Sequence, residues 1–209
     1  MKRIFPQTDL YAITDYGLAL GRNNVEVVRQ LLAAGVKLIQ YREKERKMGV
    51  MLEECRAIRA LTREYGAVFI VNDHIDLALL VDADGVHVGQ DDLPPREVRK
   101  LVGPDRIIGL STHSPEQARA AVAAGVDYIG VGPLYATRTK KDVCAAVGLG
   151  YLDYVVKSLS IPFAAIGGIK PHNAAEVRAR GAKCLAVISA LVGAKDITAA
   201  VAAFREKMN

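Results

Sequence analysis

The sequence predicts an α/β protein, folded as a single (β/α)8 TIM barrel over residues 1–209. Eight short runs rich in Val, Ile and Leu recur along the chain, and each is apolar almost throughout, as in strands covered on both faces. Segments with helical spacing separate these runs. Eight such units average about 26 residues, close to the lower limit for this fold. No stretch rich in proline, or in glycine and serine, divides the chain, so one domain is expected.

The eight runs define the predicted strands. An open, doubly wound sheet is the alternative arrangement, and it would ordinarily carry a glycine-rich phosphate-binding turn after its first strand. The residues at that place, Asp15-Tyr16-Gly17-Leu18, do not form such a motif, so the barrel is favoured. The predicted strands are LYAITD (10–15), KLIQYRE (37–43), VFIVND (68–73), GVHVGQ (85–90), IIGLST (107–112), YIGVGP (128–133), FAAIGGI (163–169) and CLAVISAL (184–191).

Three of the intervening helices have clear boundary signals. Residues 25–34 follow Asn24, a candidate N-cap, and stop before Gly35. Ser114 begins the sequence Ser-Pro-Glu-Gln, which is typical of a capping box with proline at the first helical position. Pro171 is expected to open a third helix in the same way.

Composition excludes several classes of protein. Hydrophobic residues make up 51 % of the chain and charged residues 24 %, which is typical of a globular protein. The net charge of +5 is modest, and the chain has no Trp and no long block of like charges, so nucleic acid is not an expected partner. No apolar stretch approaches the ~20 residues of a membrane-spanning helix, and no apolar segment follows the opening MKRIFPQTD. We therefore expect a cytoplasmic protein with no membrane partner, and the oligomeric state is not indicated.

The three cysteines are far apart, and their spacing matches neither a zinc site nor a redox pair. Cys55, Cys144 and Cys184 are therefore expected to be small buried hydrophobic residues.

In a barrel of this kind the active site lies at the carboxyl ends of the strands. Gln40, Arg42 and Lys44 follow the second strand and share one face because side chains alternate, whereas Glu43 lies on the other face. An amide and two cations on one face suit a multiply charged anion such as a diphosphate. The alternative is a solvated loop, because charged residues continue at 45–47.

Acidic residues end the next two strands. The third ends at Asn72-Asp73, and Asp91-Asp92 follow the fourth. Acids on adjacent units can share one Mg²⁺, which takes one or two carboxylates together with substrate phosphates. The alternative is that Asp73 and Asp92 cap the helices that follow them.

The fifth strand brings Ser111 and His113 to the same end of the barrel. A lone histidine is more often structural than catalytic, and Ser114 fits a helix cap better than a nucleophile. The chain has no Gly-x-Ser-x-Gly turn, so acyl transfer is not supported.

The last three strands carry the features of a phosphate site. A long connection over 134–149 contains Thr137, Thr139 and Lys140, which could close over a phosphorylated ligand or form an ordinary surface loop. The pairs Gly167-Gly168 and Ile188-Ser189 end the seventh and eighth strands, where these barrels recurrently bind phosphate through backbone N–H groups and helix N-termini. Together with the second to fifth strands, this predicts two anion sites, and hence two phosphorylated substrates of which one loses diphosphate.

Seven segments extend this interpretation to a known family. The chain resembles the thiamine phosphate synthase (thiamine-phosphate pyrophosphorylase) family along nearly its whole length. The matching segments are IQYREK (39–44), NDHIDLAL (72–79), ADGVHVGQDDL (83–93), GLSTHS (109–114), DYIGVGPLYATRTKKD (127–142), AIGGI (165–169) and AVISAL (186–191).

The resemblance implies a barrel that joins 4-amino-2-methyl-5-(diphosphooxymethyl)pyrimidine, here called the pyrimidine diphosphate, to a thiazole phosphate. The products are thiamine phosphate and diphosphate, with CO₂ when the thiazole is carboxylated, and the cofactor is Mg²⁺. The family mechanism breaks the bond to diphosphate largely before the thiazole nitrogen attacks the resulting methylene cation. Thiazole tautomerases, with a histidine at the place of His113, and a non-catalytic sensor of thiamine precursors are the alternatives. His74 departs from the family pattern, where Arg is more often expected.

The resemblance also implies a role for each matching residue. Contacts to the pyrimidine diphosphate would come from Gln40, Arg42, Lys44, Asn72, Ser111 and Lys140, of which Arg42, Lys44, Ser111 and Lys140 are the catalytic candidates. The metal ligands would be Asp73 and Asp92 rather than Asp91. Contacts to the thiazole phosphate would come from Thr137, Thr139, Gly168, Ile188 and Ser189.

Overall fold

Eight parallel strands close into a barrel in the order in which they occur in the chain. The structure is a computed structural model that describes residues 3–137, 139 and 144–208. The last strand pairs with the first through Leu10 and Leu185, which closes the barrel. The strands are β1 (Leu10–Ile13), β2 (Leu38–Tyr41), β3 (Val68–Asn72), β4 (Gly85–Val88), β5 (Ile107–Thr112), β6 (Tyr128–Val131), β7 (Phe163–Ile166) and β8 (Leu185–Val187).

Helices follow the strands and cover the outside of the barrel, which confirms the predicted (β/α)8 fold. A short 3₁₀ turn over Tyr16–Leu18 precedes the first of them. The helices of the described residues are α1 (Asn24–Ala33), α2 (Met48–Glu64), α3 (Ile75–Leu80), α4 (Pro95–Val102), α5 (Pro115–Ala124), α6 (Leu149–Ser158), α7 (Pro171–Ala179), α8 (Ser189–Val192) and α9 (Ile197–Met208).

The alternation of side chains along each strand divides the core into two layers. Leu10 and Ala12 of β1 point outward into the large cluster between strands and helices. Tyr11 and Ile13 point inward, into a smaller cluster that fills the barrel. At the amino end of the barrel the ring of Phe5 stacks on Tyr128, with 4.2 Å between ring centroids. Side chains therefore fill the barrel interior towards its amino end, so a ligand is expected at the carboxyl ends of the strands.

All eight predicted strands form, but most of them end earlier than predicted. Residues 42–43 leave the ladder of β2, and the run 184–191 divides into a strand of three residues and the four-residue helix α8. Some residues beyond the shortened strands still donate a backbone hydrogen bond to the neighbouring strand, as Asp73 N does to the His87 carbonyl and Thr14 N to the Gln40 carbonyl, both at 2.9 Å. The connection from Val131 to Leu149 is long, as predicted.

Two predicted helix caps differ in detail. Asn23, not Asn24, caps α1 by accepting a hydrogen bond from Glu26 N. Ser114 does cap α5 by accepting from Gln117 N at 3.3 Å, but the Gln117 amide oxygen accepts from His113 N rather than from Ser114 N. The second bond of the capping box, from the backbone to the Gln117 side chain, is therefore donated one residue earlier than predicted.

The cysteines agree with the prediction at two positions of three. Cys55 and Cys184 are buried, whereas Cys144 is exposed. Over residues 3–137 and 144–208, no helix is both long and apolar enough to cross a membrane.

Candidate active site

The end of β2 presents side chains alternately to the two sides of the barrel wall, as predicted. Gln40 is buried inside the barrel, where its Nε2 donates to the hydroxyl of Tyr11 at 2.6 Å. Arg42 is held by Asp15, with 3.4 Å between Nη1 and Oδ2, and its backbone N–H donates to Thr14. Lys44 extends furthest into solvent and forms an ion pair with Asp73 at 2.6 Å.

The opposite face of the same segment is anchored by a buried polar cluster. The Glu43 carboxylate accepts from the backbone N–H of Tyr16 and from Asn24 Nδ2, both at 2.9 Å. Asn24 also donates to Glu54, which in turn accepts from the hydroxyl of Tyr41. Burial raises the pKa of Glu43, against the hydrogen bonds from Asn24 and Tyr16, which lower it. This cluster, named here the β2 brace, fixes the backbone between Arg42 and Lys44.

Asp73 and Asp92 lie side by side next to Lys44. Burial raises the pKa of Asp73, the Lys44 ammonium lowers it, and the neighbouring Asp92 carboxylate raises it again, so that the net shift is upward. Neither acid caps a helix. Asp73 has a backbone φ of +59° and precedes His74, the N-cap of α3, while Asp92 accepts from Gly89 N at 2.6 Å.

This pair of carboxylates fits a divalent cation. Within the described residues, no group of three or more His, Cys, Asp or Glu side chains could hold a metal. Mg²⁺ does not require such a group, because it takes one or two carboxylates and completes its shell with water and substrate phosphates. Two adjacent acids whose mutual repulsion raises a pKa are stabilised by a positive charge between them.

Ser111 is the end of a hydrogen-bond chain that crosses the barrel interior. Its Oγ lies 2.9 Å from His87 Nε2, and His87 Nδ1 lies 2.8 Å from the hydroxyl of Tyr128. The Tyr128 hydroxyl lies 2.8 Å from that of Tyr11, which accepts from Gln40. Two of the predicted site residues, Gln40 and Ser111, are thus connected through three aromatic side chains that sequence reasoning missed.

Asn72 and His113 lie on either side of this chain. Asn72 is buried at the end of β3, where it pairs in register with His87 of β4. His113 donates from Nδ1 to the carbonyl of Gly132 at 2.6 Å, so this contact fixes the orientation of its ring. The prediction that Ser114 acts as a cap is confirmed by its bond from Gln117 N.

The connection after β6 carries the predicted hydroxyl groups. Thr137 Oγ1 lies 3.1 Å from Thr139 Oγ1 and accepts from Thr139 N at 3.3 Å, so the two threonines form one compact turn. The predicted catalytic residue Lys140 lies outside the described residues.

Gly168 lies directly beneath this turn. Its φ is +65°, and a Cβ at this position would come within 2.9 Å of the carbonyl oxygen of Ala136. The Gly168 carbonyl accepts from Asn173 of α7 at 3.1 Å. A glycine is therefore required here both by the backbone conformation and by the close approach of the connection after β6.

The end of β8 supplies the remaining predicted residues. Ile188 is buried in the inner layer, and Ser189 is exposed at the start of α8. Because α8 has only four residues, its dipole contributes less here than the predicted helix N-terminus would, and backbone N–H groups remain the available donors.

The site can therefore do two things at one barrel mouth. On the side of β2 to β5 it can bind a multiply charged anion with cations, an acid pair and a serine hydroxyl. On the side of β6 to β8 it can bind a smaller anion with hydroxyl groups and backbone. No side chain is arranged as an activated nucleophile in the described residues.

Comparison with known proteins shows the family to which this chain belongs. The model of one protein family, thiamine monophosphate synthase, matches residues 10–191. The chain belongs to this family. Its relatives in the family include a thiamine-phosphate synthase from Pelotomaculum thermopropionicum, which is 65 % identical over 199 residues, or 95 % of this chain and 91 % of the relative. A thiamine-phosphate synthase from Lawsonia intracellularis is 57 % identical over 198 residues, with the same shares covered.

A solved structure of the same family has the same fold. Thiamine phosphate pyrophosphorylase from Pyrococcus furiosus superimposes with a TM-score of 0.88 at 40 % identity, over 97 % of this chain and 96 % of that one. The family and the fold predicted from the sequence are thereby confirmed.

Proposed function

We propose that this chain joins the pyrimidine diphosphate to a thiazole phosphate, giving thiamine phosphate and diphosphate, and also CO₂ when the thiazole is carboxylated. The chain is an enzyme of the transferase class, as its relatives named thiamine-phosphate synthase are. The observation that carries the proposal is the pairing of Lys44 with Asp73 beside the neighbouring acid Asp92, at the carboxyl ends of the strands.

Cations and amides hold the pyrimidine diphosphate. The Arg42 side chain is only 10 % exposed, so its charge acts in a medium less polar than water and attracts an oxyanion more strongly. Lys44 can release Asp73 and turn to the diphosphate when a metal replaces it beside the acids. The proposed contacts are Gln40, Arg42, Lys44, Asn72, Ser111 and Lys140.

Asp73 and Asp92 would hold Mg²⁺. When bound, the ion would neutralise negative charge on the diphosphate leaving group. Burial and the neighbouring Asp92 carboxylate raise the pKa of Asp73, and a cation held by the two acids would offset their mutual repulsion.

The thiazole phosphate occupies the opposite side of the mouth. Thr137 and Thr139 offer hydroxyl groups, and the backbone N–H groups around Gly168, whose φ is +65°, would bind the phosphate oxygens. Ile188 and Ser189 complete this site with the backbone after β8.

The reaction begins when the C–O bond between the pyrimidine methylene carbon and the diphosphate breaks. The bonding electrons leave with the diphosphate oxygen, and the electron-rich aminopyrimidine stabilises the methylene cation. Arg42, Lys44 and Lys140 stabilise the charge that grows on the leaving oxygens, and Ser111 donates a hydrogen bond to them. The thiazole nitrogen then attacks the cation, and the two bound substrates react without a covalent enzyme intermediate.

The partners of this chain are accordingly small molecules. We expect no nucleic acid and no membrane partner, and a cytoplasmic location.

The test mixes purified protein with the pyrimidine diphosphate and the thiazole phosphate, with Mg²⁺ or with EDTA. Thiamine phosphate is oxidised to its thiochrome and measured by fluorescence. Formation of product in Mg²⁺ and its loss in EDTA are expected. A folded protein that forms no product in either condition contradicts the proposal, and would return attention to the thiazole tautomerase activity, measured on the thiazole alone.

A further inference from the structure

We propose that His87 is a positioning residue that makes Ser111 a hydrogen-bond donor to the diphosphate, with the imidazole held in the tautomer protonated at Nε2. The inference rests on the proposed function, in which Ser111 contacts the diphosphate. It assigns a role to three side chains, His87, Tyr128 and Tyr11, that do not belong to either predicted anion site.

The contacts form one continuous line from β2 to β5. Gln40 Nε2 lies 2.6 Å from the Tyr11 hydroxyl, which lies 2.8 Å from the Tyr128 hydroxyl. Tyr128 lies 2.8 Å from His87 Nδ1, and His87 Nε2 lies 2.9 Å from Ser111 Oγ. The three distances of 2.8 to 2.9 Å lie in the usual range for hydrogen bonds, and the contact from Gln40 is slightly shorter than that range.

The donor at one end of this line favours one direction for the bonds that follow. The Gln40 amide nitrogen can only donate, so the Tyr11 oxygen accepts from it. Either hydroxyl can be the donor at the contact between Tyr11 and Tyr128. In the proposed line Tyr11 is the donor, because every hydroxyl proton along the line then has an acceptor. The Tyr128 proton is then donated to His87 Nδ1. A neutral imidazole that accepts at Nδ1 carries its proton at Nε2, from which it donates to Ser111.

Burial keeps this order of donors and acceptors in place. Tyr11 and Tyr128 are almost completely buried, and burial raises the pKa of both phenols far above the ordinary value, so neither loses its proton. Hydrogen bonds in such an interior strengthen one another because each bond polarises the next in a medium of low dielectric constant.

Gly109 provides the space that this arrangement requires. A Cβ at Gly109 would lie 2.2 Å from the Tyr128 ring and 2.5 Å from His87 Nδ1. The bond between Tyr128 and His87 thus occupies the volume that a side chain on β5 would fill.

This order of bonds determines what the half-buried hydroxyl of Ser111, at the end of the line, can donate to. Its oxygen accepts the proton of His87, so its own hydroxyl proton is free to be donated elsewhere. The acceptor that the site offers is an oxygen of the bound diphosphate. A hydroxyl held in this way needs no reorientation as negative charge develops on the leaving group.

The first test determines the tautomer directly in the ligand-free protein. The four histidines are labelled with ¹⁵N, and the His87 signals are assigned by their loss in His87→Gln. The expected spectrum has the shift of an unprotonated nitrogen at Nδ1 and of a protonated nitrogen at Nε2. The reverse assignment, or a doubly protonated ring, overturns the inference. This result is independent of whether the protein makes thiamine phosphate.

The second test measures kcat and KM in two replacements of His87. His87→Gln places an amide N–H near the former Nε2 and should retain most of kcat. His87→Asn is too short to reach Ser111 and should lower kcat at least about tenfold, with a smaller change in the KM for the pyrimidine diphosphate. Equal kcat values for His87→Asn and wild type contradict the inference even though the enzyme is active.

A double-mutant cycle separates positioning from a structural role. In a Ser111→Ala background, His87→Asn should change kcat less than about twofold, because the hydroxyl that it positions is gone. Additive losses would mean that His87 acts without Ser111 and would overturn the inference.

Removal of one phenol hydroxyl tests the line with little change in packing. Tyr128→Phe takes away the donor to Nδ1, so the Nδ1 signal should shift towards that of a protonated nitrogen. Tyr154→Phe, which removes a hydroxyl bound by Arg119 on the outer surface, is the matched control and should leave the His87 signals and kcat unchanged. An unaltered His87 spectrum in Tyr128→Phe contradicts the proposed direction of the bonds.

Discussion

The two sides of the barrel mouth are built by different means. On the side of β2 to β5 the groups that meet the ligand are long side chains, and each has a partner behind it, such as Asp15 behind Arg42. On the side of β6 to β8 the groups are backbone atoms and short hydroxyls around Gly168. A diphosphate that departs with growing charge needs cations in fixed places, whereas a phosphate that only has to be held can be bound by N–H groups. In the proposed mechanism, the side that would stabilise the transition state is the side on which Arg42 and Glu43 have buried or half-buried partners.

The largest effect is expected at Lys140, which belongs to the connection after β6 in the sequence but is proposed to contact the diphosphate. Lys140→Ala should lower kcat by about 10³-fold, because a charge on the leaving group loses a stabilising partner, while the melting temperature stays the same. Lys141→Ala is the matched control and should retain activity. Near-normal turnover in Lys140→Ala would remove this residue from the proposed mechanism.

The acid pair should respond next most strongly. Asp92→Asn should raise the Mg²⁺ concentration for half-maximal activity by about 10- to 100-fold, because one of two carboxylate ligands is lost. Asp91→Asn removes the same charge from the adjacent, exposed position and should leave the Mg²⁺ titration unchanged. If the two variants behave alike, the metal does not lie between Asp73 and Asp92.

Gly168 tests the backbone side. Gly168→Ala places a Cβ 2.9 Å from the Ala136 carbonyl at a positive φ, so the turn above it must shift. The KM for the thiazole phosphate should rise about tenfold, with the KM for the pyrimidine diphosphate nearly unchanged. Gly150→Ala in α6, where a Cβ meets nothing within 4 Å, is the control and should change neither KM. Equal rises in both KM values for Gly168→Ala would contradict the proposal that the two substrates bind at separate sites of the mouth.

The smallest effect on activity should come from the β2 brace. Asn24→Ala removes the amide shared by Glu43 and Glu54, so it should lower the free energy of unfolding by about 1–3 kcal/mol and raise the KM for the pyrimidine diphosphate several-fold. Asn23→Ala, which removes only the cap of α1, should cost about 1 kcal/mol in stability with no change in KM. Urea unfolding measures the loss of stability in both variants, and steady-state kinetics show whether KM rises in Asn24→Ala alone.

The sequence predicted most of the barrel because each strand is a continuous apolar run, which local pattern alone reveals. It did not predict where the strands end, since residues such as Arg42 stay extended after the ladder has stopped. Asn23 and Asn24 are both good N-caps by residue type, and only the packing of α1 against β2 decides which of them faces Glu43.

The anion-binding residues were visible because polar side chains at strand ends are unusual. The roles of His87 and Tyr128 were not visible in the sequence, because each residue lies inside an apolar run and its hydrogen-bond partners lie on other strands. Pairing of β4, β5 and β6 brings these partners together. The spacing of residues within a single strand does not indicate such contacts. The choice between a metal ligand and a helix cap for Asp73 likewise depended on its left-handed backbone, which the sequence does not reveal.

The stacking of Phe5 on Tyr128 has a practical consequence for anyone who engineers this enzyme. The segment before β1 packs on Tyr128, so a substitution that moves the Phe5 ring would shift the tyrosine that contacts His87 in the line that leads to Ser111. Fusions after α9, on the outer ring of helices, avoid that line, and immobilised or tagged forms of the protein are best joined there.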